Sequence, residues 1–286
     1  MLKSVMTAPA VVPQRPRNHF NLSFNLILGL TLTFFTLVLT GPVWYGLLTG
    51  YDPYTMDIRQ SLAAPSAEHW LGCDRLGRDQ LSRLLWGSYY SLPLAAVLIG
   101  GASIVGTTIG LAAALYSGRV ARAFTTVVNV LMAFPQQLAV ILLVGMLGVG
   151  LTHSILALAL FWWVRFAQLS YNRAHVILQE EYIQAARLAG ENMWQLVRYY
   201  LMPQLQAQLM LTALLDLSAA ILALATLSFL GLATQPPIPE WGSMLFESQP
   251  YLQSAPHLLV GPLIFIFVSA LCCNLLALSY RPARKS

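Results

Sequence analysis

The residues of this sequence that could do chemistry are few, and they do not gather into a catalytic or metal-binding motif. Cys272 and Cys273 are adjacent within an apolar run and Cys73 stands alone. Neither a disulfide framework nor a thiolate metal site can be built from them. His153 and His257 are isolated, and lone histidines are weak evidence for a metal. We therefore predict no catalytic residue and no metal ligand in this chain.

A nucleotide-binding motif is also missing from the sequence. A phosphate-binding loop needs Gly-x-x-x-x-Gly-Lys followed by Ser or Thr, because the lysine contacts the terminal phosphates. The only lysines are Lys3 and Lys285, one in each tail. We predict that this chain binds no cofactor and that any nucleotide hydrolysis resides in another polypeptide.

Polar side chains within the apolar runs are the remaining candidates for function. Asp216 is the only acid in a predicted span, and an intramembrane acid is a functional hypothesis by default. It would either contact solute or be a buried acid that is hydrogen-bonded to a neighbouring helix. We interpret Arg165 as a snorkelling or packing residue at the cytoplasmic end of its span. Three amides flank Pro135 and would either line a wet path or join helices by hydrogen bonds: Asn129, Gln136 and Gln137.

The composition is that of a membrane protein. Of 286 residues, 57% are hydrophobic and 9% are charged, whereas soluble domains have about 25% charged residues. The apolar runs are long enough for helices of about 20 residues, which is the length that crosses a bilayer core. We predict an all-α polytopic fold with a polar tail at 1–19 and six spans. The spans are 24–48, 92–116, 124–147, 153–171, 205–232 and 258–280.

The basic residues predict the orientation, because Lys and Arg in short loops are retained in the cytoplasm. With the N terminus inside, both termini are cytoplasmic and most of the basic residues face the cytoplasm. Arg59, Arg75, Arg78 and Arg83 lie outside. The net charge of +5 reflects this topology, and nothing in the sequence supports binding to nucleic acid.

Two outer segments follow from this topology. In the first, at 49–90, leucines at helical spacing predict an interfacial helix over 79–92 that leads into the second span. The second, at 233–257, contains five prolines and predicts an ordered loop rather than a helix.

The one long cytoplasmic segment, at 180–204, reads EEYIQAARLAGENMWQLVRYYLMPQ. Its first part places apolar residues on one helix face, and Gly190 is a natural left-handed stop. Residues 193–200 predict a second helix that ends near Pro203. Two helices joined by a glycine turn form a compact knob at the membrane surface. Ala185 and Ala186 add no bulk, so a partner's groove could approach the backbone closely.

This segment resembles the signature loop of binding-protein-dependent ABC importers, in which Glu-Ala-Ala is followed by Gly and later by Pro. Gln184 replaces the glutamate, and the helix-ending segment departs at Tyr200 and Met202. The resemblance implies that residues 180–204 form an ATPase-docking loop. Its matching positions are Gln184, Ala185, Ala186, Gly190 and Pro203.

Two further segments resemble the second permease of dipeptide, oligopeptide and nickel importers. Residues 69–79, the outer motif, read HWLGCDRLGRD and resemble His-x-Leu-Gly-Thr-Asp-x-Leu-Gly-Arg-Asp, with Cys73 for threonine. Residues 227–245 read LSFLGLATQPPIPEWGSML and resemble the family's Leu-Ser-Phe-Leu-Gly-Leu-Gly segment. The matching residues of the outer motif are His69, Leu71, Gly72, Asp74, Gly77, Arg78 and Asp79.

The resemblance implies a non-catalytic permease of a bacterial inner membrane. Its partners would be a paralogous permease, two ATPase subunits that bind ATP and Mg, an extracytoplasmic solute-binding protein and membrane lipid. The motifs look closest to nickel-type permeases, so nickel or another metal chelate is the expected solute, with dipeptides or oligopeptides as the alternative. A secondary transporter would have no use for the ATPase-docking loop. A membrane enzyme would need a convergent catalytic set, which the sequence lacks.

Overall fold

The computed structural model describes residues 24–116 and 118–280, and these residues form helices without a β-strand. The predicted all-α class is confirmed, and the predicted tail at 1–19 lies outside the described residues. A π-helical stretch, Leu196–Leu201, joins the helix Met193–Gln195 to the helix Met202–Phe229. The helices are α1 (Phe24–Thr49), α2 (Gln80–Leu115), α3 (Arg119–Met132), α4 (Gln136–Leu147), α5 (Leu151–Ile177), α6 (Glu181–Leu188), α7 (Met193–Gln195), α8 (Met202–Phe229), α9 (Trp241–Ser248) and α10 (His257–Ser279).

Five helical segments of the described chain are long and apolar enough to cross a membrane. They are α1, α2, α5, the continuous run Met193–Phe229 and α10. The bent pair formed by α3 and α4 brings the number to six if the pair is one span. The polytopic membrane fold is therefore confirmed.

The predicted third span, 124–147, is not a single helix. α3 ends at Met132, α4 begins at Gln136, and the two axes meet at 85°. Pro135 is the residue before α4. Proline disfavours helical backbone at the preceding residue and lacks the N–H that would continue α3, so the helix breaks there.

α2 is the centre of the fold and is longer than a span. Its 36 residues extend for about 54 Å, whereas a hydrocarbon core is roughly 30 Å thick. The helix predicted over 79–92 is present and continues into the second span, but its first turns are buried within the protein rather than exposed at an interface. Further along, Gly106 and Gly110 lie directly against the backbone of α5 at Trp163 and Ala167. Two glycines four residues apart allow two membrane helices to approach this closely.

The second outer segment contains α9, so the loop predicted over 233–257 is wrong in its middle. Pro236, Pro237 and Pro239 precede the helix, and Pro250 follows it. The prolines bound a helix here, because proline before or after a helix removes no intrahelical hydrogen bond, whereas an interior proline does. Glu240 caps α9 by accepting the Ser243 N–H at 2.9 Å.

Candidate functional site

The ATPase-docking loop is an ordered helix–turn–helix. The left-handed stop predicted at Gly190 is present, with φ of +90°. Its N–H donates to the Arg187 carbonyl at 3.1 Å, and the Glu191 N–H donates to the Ala186 carbonyl at 3.2 Å. These two bonds form a Schellman cap, which satisfies carbonyls at the end of α6. The turn is therefore fixed by backbone geometry as well as by packing.

α6 has one face toward its own chain and one face toward solvent. Ile183 is fully buried and Ala186 is 7% exposed, and both pack with leucines of the following helix. Gln184 and Ala185 are exposed, and Leu188 is 91% exposed. The interpretation that both alanines face a partner is wrong for Ala186, because its methyl group contributes to the core of the loop itself.

Side-chain hydrogen bonds hold the second half of the loop. Asn192 and Gln195 form a capping box, in which each side chain accepts the other residue's backbone N–H, at 2.7 and 2.9 Å. The Tyr200 hydroxyl donates to Glu191 Oε1 at 2.9 Å, and its ring stacks on that of Tyr182. Tyr200, where the sequence departs from the family pattern, thus ties the two halves of the loop together.

The second helix of the loop does not end near Pro203, as the sequence analysis predicts. α7, the π-helical stretch and α8 form one continuous helical run, Met193–Phe229. The Met202 N–H donates to the Val197 carbonyl five residues back, and Pro203 lies in the first turn of α8. The π-helical stretch just before Pro203 interrupts the regular hydrogen-bond ladder, so the missing N–H of the proline does not end the helix. The loop is therefore rigidly continuous with a membrane-crossing helix.

The outer motif forms a buried ionic network. Asp74 pairs with Arg78 Nε at 2.6 Å and with Arg83. Glu247 of α9 pairs with Arg78 Nη2 at 2.9 Å and with Arg83 Nη2 at 2.6 Å. All four side chains are at most 9% exposed. We call Asp74, Arg78, Arg83 and Glu247 the outer cluster; it joins the motif to α2 and α9.

The remaining residues of the outer motif also hold the backbone in place. His69 Nδ1 lies 2.8 Å from Asp79 Oδ1, and Asp79 caps α2 by accepting the Ser82 N–H at 2.7 Å. Gly72 and Gly77 have positive φ and lie against the backbone of neighbouring turns. Leu71 packs against the main core. These residues form a scaffold rather than an open binding site.

The electrostatics of this region agree with that structural role. Burial would raise the pKa of Asp74, but Arg83 and Arg78 outweigh it and hold that pKa below its ordinary value. Burial, followed by Asp79 and Asp74, raises the pKa of the Cys73 thiol to about 11. A buried, protonated thiol is a packing group with little nucleophilic character.

Arg165 and Asp216 form an ion pair between α5 and α8, with Nη1 2.6 Å from Oδ1. Arg165 is 14 residues from the start of α5 and 12 from its end. Since α5 extends six residues beyond the predicted span end at 171, the interpretation of Arg165 as a residue of the cytoplasmic end of its span stays a prediction. Asp216 is 1% exposed, whereas the Arg165 side chain is 60% exposed. A second contact joins the same helices, where Arg173 Nε donates to Gln208 Oε1 at 2.6 Å.

The amides proposed to line a path are not brought to this ion pair. Asn129, Gln136 and Gln137 are exposed around the α3–α4 bend. α3 and α4 pack chiefly on α5, whereas Asp216 belongs to α8. Among the described residues, no three His, Cys, Asp or Glu side chains gather as metal ligands would.

Residues 106–281 match the family described as binding-protein-dependent transport system inner membrane component. This chain belongs to that family. It is an ABC importer permease of the family that includes peptide, nickel and glutathione permeases, because three relatives with such names align with most of its length.

The relatives differ in the solute for which each is named. The glutathione transport system permease GsiD of Pectobacterium atrosepticum is 36% identical over 87% of this chain and 83% of its own. The dipeptide transport system permease DppC of Alkalihalophilus pseudofirmus is 33% identical over 90% of this chain and 84% of its own. The nickel transport system permease NikC of Escherichia coli K12 is 34% identical over 79% of this chain and 81% of its own.

A solved structure shows the same fold. An inward-facing structure of the MetNI methionine ABC transporter superposes with a TM-score of 0.54 at 16% identity, covering 71% of the permease and 98% of that chain. At this identity the likeness concerns the fold alone.

Two features of the permease were not predicted from the sequence. One is Glu247, which follows the recognised 227–245 segment by two residues and completes the outer cluster. The other is the pairing of Arg165 with Asp216. A signal for that pair was available, since a lone base and a lone acid in apolar runs are each costly unless they meet.

Proposed function

We propose that the permease forms a solute pathway with a paralogous permease and is driven by two ATPase subunits, one of which docks on the ATPase-docking loop. The observation that carries this proposal is the exposed apolar surface of a loop that is otherwise well ordered. Leu188, Trp194 and Tyr199 are all exposed there. Exposed apolar surface on an ordered element is typical of a protein contact.

The packing beneath this surface supports a coupling role. Ile183 and Ala186 of α6 share one apolar cluster with Ala174 and Ile177 of α5 and with Leu205 of α8. A displacement of α6 is therefore transmitted to two spans through close-packed side chains, because protein interiors compress little. ATP-driven closure of the ATPases would shift the spans between two states if the docked surface is bound differently in each.

The proposed orientation puts the ATPase-docking loop and both termini in the cytoplasm of a bacterium. It rests on the excess of Lys and Arg in the segments assigned to that side. An extracytoplasmic binding protein would then deliver solute to the opposite face, where the outer cluster holds the entrance in shape. ATP and Mg would bind to the ATPases.

Leu188→Asp tests the docking role. The variant should reach the membrane but should no longer retain the ATPases when the complex is purified in mild detergent. Leu252→Asp is the matched control, because Leu252 is an exposed leucine in the outer segment. It should retain them. If Leu188→Asp retains the ATPases and transports normally, this loop does not take part in the mechanism. If the permease exchanges solute without any ATPase, a secondary transporter is favoured.

For the solute, we propose a metal chelate and keep a short peptide as the second candidate. The nickel permease NikC supports the first, and the relatives named for glutathione and dipeptides support the second. Among the described residues no three His, Cys, Asp or Glu side chains gather to hold a bare divalent ion, so a metal would cross inside an organic shell. Radiolabelled nickel uptake, with and without a histidine-like or opine-type chelator, should fall in a deletion strain while dipeptide uptake persists. The opposite result would favour the peptide.

A further inference from the structure

A line of polar contacts runs along α5 and α8. Arg165 meets Asp216, and eight residues further along α5 Arg173 meets Gln208, which lies eight residues earlier on α8. This register shows that the helices are antiparallel, and it separates the two contacts by about 12 Å along the helix axis. We call these four residues the polar stripe. It extends from the middle of the spans toward the ATPase-docking loop.

The polar stripe differs from the apolar surfaces that other spans expose. α2 exposes Val97 and Ile104, and α4 exposes Leu142, as lipid or an apolar neighbour requires. By contrast, the guanidinium at mid-helix on α5 is largely open. An arginine that faces hydrocarbon is costly. The open side of Arg165 must therefore face water or a polar group.

The ion pair leaves donors of Arg165 unused. A guanidinium has five N–H donors, and the pair joins Nη1 to Oδ1. It is not a two-pronged pair, because Asp216 Oδ2 is buried without a hydrogen-bond partner among the described residues. Donors thus remain on the exposed side, in the planar arrangement that matches a carboxylate.

We propose that Arg165 is a binding residue of the pathway for a carboxylate group of the solute, with Asp216 as its positioning residue. The inference rests on the proposed function and narrows its substrate class to carboxylate-bearing solutes. A peptide C terminus and a carboxylate-bearing metal chelate both present this group. A lipid phosphate is disfavoured, because headgroups lie at the membrane surfaces and Arg165 lies more than three helical turns from either end of α5.

Asp216 also explains how such a site would release its solute. An isolated guanidinium in a low-dielectric path would hold an anion strongly. Asp216 already neutralises the charge of Arg165, so a solute carboxylate competes with it and gains less. Transport needs a site that is favourable enough to enter and weak enough to leave. Arg173 offers a second guanidinium on the cytoplasmic side.

The test uses the complete complex, with both permeases, the ATPases and the binding protein, in proteoliposomes. The probes are alanyl-alanine and its C-terminal amide, and radiolabelled nickel with either histidine or imidazole. Arg165→Gln should lower uptake of carboxylate probes at least tenfold and leave uptake of the analogues that lack a carboxylate within twofold. Arg165→Lys should restore part of the uptake, because it keeps the charge but loses the planar fork. Arg59→Gln, at an exposed outer arginine, should behave as the unmutated protein does.

The probes also identify the source of the carboxylate. Loss confined to alanyl-alanine assigns a peptide, and loss confined to nickel with histidine assigns a chelate. If the unmutated complex transports a probe and Arg165→Gln transports it equally well, the inference fails while the proposed function stands. If Arg165→Gln does not assemble, the neutral pair Arg165→Gln/Asp216→Asn replaces it, and full carboxylate uptake by that pair would overturn the inference.

A second measurement needs no transported solute. In a complex freed of its native cysteines, Arg165→Cys should react with a water-soluble thiol reagent, and the rate should change when ATP and vanadate trap the ATPases. A cysteine that stays unreactive in both states would place position 165 against the partner permease or lipid. That result would overturn the inference even if neither probe is transported.

Discussion

The outer motif and the ATPase-docking loop both carry family motifs, but their side chains are placed in opposite ways. The outer motif is rich in charges, yet its Asp74 and Arg78 are buried and paired with each other, and Asp74 also pairs with Arg83 of α2. The docking loop is rich in small and apolar residues, yet Leu188 and Trp194 are exposed. A buried ionic network holds its own chain together, whereas exposed apolar surface is left for a partner. A motif therefore marks an important segment, and burial distinguishes scaffold from contact.

The largest effect on stability is expected for Arg78→Met in the outer cluster. It leaves Asp74 and Glu247 buried with Arg83 as their shared cation, and breaking a buried ion pair costs about 3–5 kcal/mol. Thermal unfolding in detergent would show the loss. Arg75→Met, at an exposed arginine of the same motif, should change stability by less than about 0.5 kcal/mol. Equal effects would mean that the cluster is not the scaffold.

A smaller effect is expected from tryptophan at the two adjacent alanines of the docking loop. Ala186→Trp overpacks the buried face of α6 and should lower stability by about 1–3 kcal/mol. Ala185→Trp adds bulk to the exposed face and should leave stability unchanged while ATP hydrolysis no longer responds to solute. Unfolding midpoints and ATPase rates of the assembled complex separate the two. Similar behaviour of both variants would contradict the assignment of the faces.

Sequence patterns correctly predicted features that depend on the local backbone. They did not predict features that depend on the packing of helices far apart in the sequence. Gly190 could be predicted, because the need for positive φ at the end of a helix is local. The break at Pro135 was not predicted, since 124–147 was expected to be one span, and its 85° angle depends on how α3 and α4 pack on α5. The pairing of Arg165 with Asp216 depends on the antiparallel register of α5 and α8, which no spacing within one helix reveals.

The dependence on distant packing also explains why two segments, the docking loop and 233–257, were in part predicted incorrectly. Ala186 follows Ile183 by three residues, a spacing that places both side chains on the same, inward face of α6. The motif resemblance instead led to the prediction that Ala186 contacts a partner. In the segment 233–257, the five prolines predict a loop. Glu240 nevertheless caps a helix there, because its side chain accepts a backbone N–H of the first turn of α9. Motif resemblance identified the family without showing which motif residues face solvent.

The pH dependence of stability should show opposite signs for two buried carboxyl groups of the outer region. The pKa of Asp74 is held down, so its contribution is present above about pH 3.8 and is lost as the pH falls through its lower folded value. Burial raises the pKa of Glu240, so its contribution is present below about pH 4.5 and is lost as the pH rises through its folded value. Unfolding midpoints relative to Asp74→Asn and Glu240→Gln, measured across pH, would test the signs. A parallel drift of both differences would contradict them.

The smallest effect is expected for Gly190→Ala, which tests the turn of the docking loop without adding a contact. A Cβ at Gly190 would meet no atom within 4 Å, so the cost is conformational and amounts to about 1–2 kcal/mol for a residue forced to positive φ. Since α6 would be displaced with the turn, we expect weaker coupling of ATP hydrolysis to solute, measured in the assembled complex.

Gly29→Ala is the matched control for this change, because a Cβ at Gly29 also meets nothing within 4 Å but the residue lies inside α1. Alanine is favoured over glycine in a helix interior by roughly 0.5–1 kcal/mol, so Gly29→Ala should stabilise the permease while Gly190→Ala destabilises it. The same substitution thus has opposite signs at two open positions, and the sign is set by backbone angle alone. If both variants were stabilised, the docking loop would not depend on its left-handed turn, and its shape would have to come from the packing of Ile183 and Ala186.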